Sequence, residues 1–161
     1  MAPLQLEAAE ILRRSEQGVC RPFFIRATQG DIYVVKGVGG AGKAALTSEL
    51  ICAELGLRLG LPIPPYGIMT IPQGLISFTA IDGADELDGG PAFASKLVVN
   101  ATTLTYLQVS QIPPELKQRV LVFDKWVYKD MWDDESLVQP TLDERFELLN
   151  RIHNGDFLRM V

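Results

Sequence analysis

The stretch GVGGAGK, residues 37–43, sets two glycines five residues apart and puts a lysine directly after the second. In a P-loop this spacing lets backbone amides surround a phosphate. The pattern then requires Ser or Thr, whose hydroxyl ligates Mg²⁺ against the phosphates, and Ala44 stands there instead. No later strand ends in an acidic residue followed by a crossover helix, as the rest of such a domain would demand. The loop is therefore open to two readings: an incomplete P-loop of a nucleotide hydrolase, or a glycine-rich turn shaped by backbone geometry alone.

A second chemistry starts one residue upstream. Lys36 closes the apolar run IYVVK, and Glu49 follows thirteen residues later in the next helical stretch. In kinase folds a strand lysine holds the α- and β-phosphates of ATP and is oriented by a glutamate of the following helix. The spacing allows such a pair without requiring it, since both side chains could equally be solvated. Elsewhere the inventory is thin. His153, the one histidine, falls after the last periodic positions of a C-terminal helix, where a cation suits the helix dipole. Cys20 and Cys52 have no metal-ligand or CxxC spacing and read as reduced thiols, and no metal site is expected. Asp133, Asp134 and Glu135 form an acidic cluster that reads as a solvated loop or a weak divalent-ion site.

The elements that must position these residues can be read from periodicity. Leu4, Leu6, Ala9, Ile11 and Leu12 suit a short amphipathic helix over 4–16. RPFFIRATQGDIYVVKG reads as a β-hairpin turning at Gly30. Residues 44–59 carry Leu46, Leu50, Ala53 and Leu57 on one stripe of a helix that Gly60 caps and Pro62 ends. Residues 66–71 read as an edge strand, LISFTAI as a strand, DGADELDGGP as a polar loop and AFASKLVV as a strand. Beyond Asn100 the signal is helical: a segment to about Gln111, a proline-led helix from Glu115 to about Lys129, and a last helix opened by the capping box Thr141/Glu144.

Taken in order, the phrases RPFFIRATQGDIYVVKG, SELICAELGLRLGLPIPPYGI, AFASKLVVNATTLTYL and IPPELKQRVLVFDKWV resemble the HipA-like kinase-domain family, small relatives of the bacterial HipA serine/threonine kinases. The resemblance covers about residues 11 to 127. It implies a kinase-like N-terminal lobe of five strands and a helical C-terminal lobe, with Lys36 as the nucleotide-contacting lysine and Glu49 as the acidic residue of the following helix. It also exposes departures. After FDKWV the family continues with an Asn-x-Asp motif that supplies the catalytic base, and later with a phrase whose Asn binds Mg²⁺. In this register Lys129 takes the Asn position, Met131 the base and Thr141 the metal-binding Asn. A one-residue slip would bring Asp130 into the role of base.

The expected fold is thus α+β: a kinase-like N-terminal lobe of mostly antiparallel sheet plus one helix, followed by a reduced helical lobe. The chain of 161 residues is expected to form a single domain, sheet-rich over about 8–99 and helical over about 100–161. The leading functional expectation is a truncated, catalytically degenerate HipA-like protein that binds another macromolecule as an inhibitor, antitoxin-like or regulatory subunit. Trp126, Tyr128 and Trp132, ringed by charges, are its candidate contacts for a protein partner. An ATP-dependent serine/threonine kinase using Lys36, Glu49 and Asp130 is the alternative, and a P-loop hydrolase the third reading. No cofactor is expected under the first reading, and ATP with Mg²⁺ under the second. A net charge of −5 argues against a nucleic-acid surface. No apolar run reaches the roughly 18 residues of a membrane span, and the N-terminus is no secretory signal, so the expected compartment is the cytoplasm.

Overall fold

A computed structural model describes residues 3–16, 20–101 and 111–123. By its internal contacts the chain divides into two compact units, Met1–Glu54 with Ile63–Ala101, and Leu55–Pro62 with Thr102–Val161. The described residues of the first hold a sheet of five strands: β1 (Leu4–Arg14), β2 (Phe23–Ala27), β3 (Ile32–Lys36), β4 (Tyr66–Thr70) and β5 (Pro91–Lys96). The sheet closes on itself in the order β1-β2-β3-β5-β4. Four of its seams are antiparallel, and the fifth, Leu4–Glu7 of β1 against Gly67–Thr70 of β4, is parallel.

That closure corrects the expected α+β architecture. The described residues form a closed mixed barrel, four seams antiparallel and one parallel, in place of the kinase-like lobe of open sheet that was expected. The described helices are few and, one apart, short: α1 (Val38–Ala41), α2 (Lys43–Arg58), α3 (Gln73–Phe78) and α4 (Pro114–Val122). The cause lies in residues 4–14. Leu6 and Ala8 alternate inward, and a register shift between Ala8 and Glu10 carries the pattern on to the buried Ile11. Of the apolar positions 4, 6, 9, 11 and 12 that imitate a helix, the strand buries only Leu6 and Ile11, and it adds Ala8. Pairing decides it. The strand finds β4 with its first half and β2 with its second, so the sheet is left without an edge. For the same reason β4 is no edge strand.

Two further segments differ from expectation. LISFTAI begins in helix α3 rather than a strand, with Leu75 and Ile76 packed on the barrel and Phe78 projecting outward. The polar loop after it makes a 3₁₀ turn, Ala84–Leu87, that inserts Leu87 fully into the core. The hairpin, the residue 44–59 helix and the strand after Gly90 form close to where their patterns place them. The core inside the barrel is built on Phe23, Ile25, Tyr33, Val35, Met69 and Ile71.

In the second unit, α2 ends through Gly60, whose φ of +71° suits a residue without Cβ. The Gly60 amide bonds to the Leu57 carbonyl at 3.0 Å, and the Leu61 amide to Gly56 at 2.9 Å. The proline-led helix α4 begins as expected, but its far end lies outside the described residues, as do the segment at 102–110 and the capping box at Thr141.

Candidate functional site: a strand lysine under a helix

Strand β3 alternates strictly. Tyr33 and Val35 enter the barrel, and Lys36 therefore faces the opposite side, where α2 lies. There the Lys36 ammonium donates to the Glu49 carboxylate, the ion pair that the spacing of thirteen residues had allowed. Their side chains are 25% and 14% exposed, so water screens the pair only partly. α2 is held above the strands by further contacts. Leu46 and Ala53 pack on Tyr66 and Phe93, whose rings stack with centroids 6.3 Å apart. The Tyr66 hydroxyl donates to the Glu54 carboxylate at 2.6 Å. Phe93 is the residue directly opposite Lys36 in the β3–β5 register. Cys52, buried on the same helix, has its thiol pKa pushed up by burial first and by the nearby Glu49 charge second.

The glycine-rich loop between Lys36 and α2 has a mechanical explanation. A Cβ on Gly37 would lie 2.5 Å from the Leu87 Cα, and one on Gly39 would lie 2.8 Å from the Glu86 carbonyl oxygen. Real Cβ atoms do not approach backbone so closely, and backbone cannot swing aside as a side chain can. The loop is glycine-rich where it presses against the 3₁₀ turn. The amides of Ala41 and Gly42 are already bonded to the Gly37 and Val38 carbonyls, at 3.0 and 2.8 Å, and so do not converge on a phosphate. Glu86 is fixed from the other side by Arg14, whose guanidinium donates to it at 2.5 Å. Arg14 also lies over the Phe23 ring, 5.0 Å from its centroid.

This positioning set of Arg14, Glu86, Tyr66, Glu54 and Phe93 was missed by the sequence reading. Phe93 alone carried a signal, because a strand pairing with β3 had to place some residue opposite Lys36. Arg14 and Glu86 are 72 residues apart, and no local period links them. A triphosphate fits the residues present in one respect: Lys36 is a cation already oriented by a carboxylate. For a divalent ion, the described residues contain no group of three or more His, Cys, Asp or Glu side chains able to hold one. Asp130, Trp126, Tyr128 and Trp132, with Lys129, Met131, Thr141 and His153, lie outside the described residues. Among the described residues no helix is long and apolar enough to cross a membrane.

In comparison with known proteins, the chain matches the family described as HipA-like kinase over residues 8–137. No curated protein and no solved structure matches it.

Proposed function

The chain belongs to the HipA-like kinase family, and from that premise we propose that it retains the nucleotide-facing lysine pair, lacks the base for phosphoryl transfer, and works by binding another macromolecule. What supports the reading is a mismatch: the Lys36–Glu49 pair is formed, while in the register that the family resemblance implies Met131 takes the position of the base. A thioether cannot take the proton of an attacking hydroxyl, and Thr141 is a poor replacement for an Mg²⁺-binding amide. Loss of a general base by itself costs about 10²–10⁴ in rate. The stretch FDKWVYKDMWDDE supplies Trp126, Tyr128 and Trp132 among charges of both signs, a composition suited to the apolar centre and polar rim of a protein interface. An inhibitor, antitoxin-like or regulatory subunit would use such a surface.

A second reading, an active ATP-dependent serine/threonine kinase with Asp130 as base, is favoured by the same Lys36–Glu49 pair, because a chain that only binds proteins has no need of it. Radiolabelled ATP with Mg²⁺, incubated with the protein alone and with a serine-rich acceptor protein, separates the two. We expect no transfer to either. Transfer that disappears in Asp130→Ala would establish the kinase and overturn the proposal. Titrating ATP into wild type and Lys36→Ala tests whether the pair still serves a nucleotide, as the second reading requires: binding that Lys36→Ala abolishes would favour that reading. Trp132→Ala should leave the melting temperature unchanged, and unfolding would place Trp132 in a core and remove that surface from the argument.

A further inference from the structure

Helix α2 does not close completely on the barrel. Between its first two turns and the outer face of β4 and β5 lies a cavity of about 270 Å³. Its walls are apolar, chiefly Val38, Leu46, Leu50, Ile68 and Phe93, while the exposed Lys43 and Thr47 stand at its mouth. Lys36 and Glu49 do not line it. The volume falls just below the roughly 300–1,000 Å³ of pockets that take drug-sized ligands, so the space suits a compound of a single ring. Walls of this kind offer nothing to a sugar or a phosphate chain, whose polar groups would be buried without partners.

The mouth supplies one strong polar preference. Thr47 already donates its hydroxyl proton to the Lys43 carbonyl at 3.0 Å, so its oxygen can only accept. Lys43 is the one cation on the lining. Lys36 and Lys96 each hold a carboxylate, whereas Lys43 has none among the described residues. An apolar slot with a single unmatched cation at its entrance selects a ligand that is apolar at one end and anionic at the other. We propose that this cavity binds a small monocyclic carboxylic acid, its ring among Leu46, Leu50, Ile68 and Phe93 and its carboxylate on Lys43. The occupant would bear on the same helix that carries Glu49, because Leu46 and Leu50 flank that residue.

Benzoate and its neutral counterpart benzamide, titrated calorimetrically into the full chain, test the assignment. Benzoate should bind saturably and benzamide more weakly. Lys43→Gln should weaken benzoate about tenfold, equivalent to about 1.4 kcal/mol, and leave benzamide unchanged. Thr47→Trp, which fills the mouth from an exposed position, should abolish both, with melting curves confirming that each variant folds. Absence of saturable binding, equal affinity for the two probes, or indifference to Thr47→Trp would overturn the proposal. Competition by ATP with Mg²⁺ would give the cavity to the nucleotide, and a dimer that benzoate dissociates would give it to a second copy; either result also overturns it. Because Lys36 lies outside the cavity, Lys36→Ala should bind benzoate normally, so the nucleotide proposal and this one fail separately.

Discussion

Replacing Gly37 by Ala isolates the reason for the glycine-rich loop. The backbone there has φ of −89°, which any residue adopts, so the added methyl costs nothing in conformation. It costs space, since the Cβ would stand 2.5 Å from the Leu87 Cα and 2.6 Å from the Glu86 carbonyl oxygen. Ordinary contact begins near 3.4 Å, so the 3₁₀ turn or the loop must retreat by close to an ångström. Leu87 is wholly buried, and the retreat would pull it from the barrel. Overpacking of this kind costs about 1–3 kcal/mol. A clash with backbone at 2.5 Å belongs in the upper half of that range, and the stiffer unfolded chain returns about 0.4–1 kcal/mol, leaving a net loss of about 1–2 kcal/mol. At about 2–4 °C per kcal/mol for a chain of this length, the melting temperature should fall by about 2–8 °C. Gly74→Ala is the matched control, because the same methyl in α3 meets open space and removes a flexible residue from a helix. It should stabilise by about 0.5–1 kcal/mol. Differential scanning calorimetry of the two variants against wild type decides the matter. A Gly37→Ala protein that melts with the wild type would refute the packing account and return the loop to a ligand-binding explanation.

The remaining expectations concern charges and thiols. Lys36→Met and Glu49→Gln should each destabilise by about 1–3 kcal/mol through the partly buried partner left behind, and the double variant by less than their sum; additivity in a denaturant-melt cycle would show that the two do not interact. Lys96 has its pKa raised, first by its hydrogen bond to Asp31, so the pair's contribution is complete below the ordinary lysine value of 10.5 and is lost as pH climbs through the higher folded value. Melting curves at increasing alkaline pH should therefore show wild type converging on Asp31→Asn, and a gap that stays constant would contradict the linkage. Of the two thiols, half-buried Cys20 should react with a disulfide reagent in the native protein, while Cys52, buried and with its pKa raised, should react only on unfolding. Equal rates for both would show that the α2 packing around Cys52 is not what the structure describes.

How much of this was legible in advance depended on how far apart the interacting residues lie. The hairpin of β2 and β3 was readable because its two apolar runs and Gly30 sit within fifteen residues and answer to one local period. Helix α2 was readable because its leucine stripe, its terminal Gly60 and the following Pro62 agree with one another. The family was readable from ordered phrases, and the Lys36–Glu49 pair from a spacing that one strand and one helix can bridge. What sequence alone left undecided was every choice between two locally acceptable states. Residues 4–14 satisfy a helical pattern nearly as well as an irregular strand, and only the hydrogen-bonding edges of β2 and β4, the latter contributed by partners 63 positions away, select the strand and seal the barrel. The glycines at 37 and 39 fit a phosphate cradle or a close backbone contact equally well. Burial of Leu87, half a domain away in sequence, gives them the second use. The cavity beside Lys43 belongs to the same class, since it exists only because α2 and two strands distant in the chain leave a gap that their side chains do not fill.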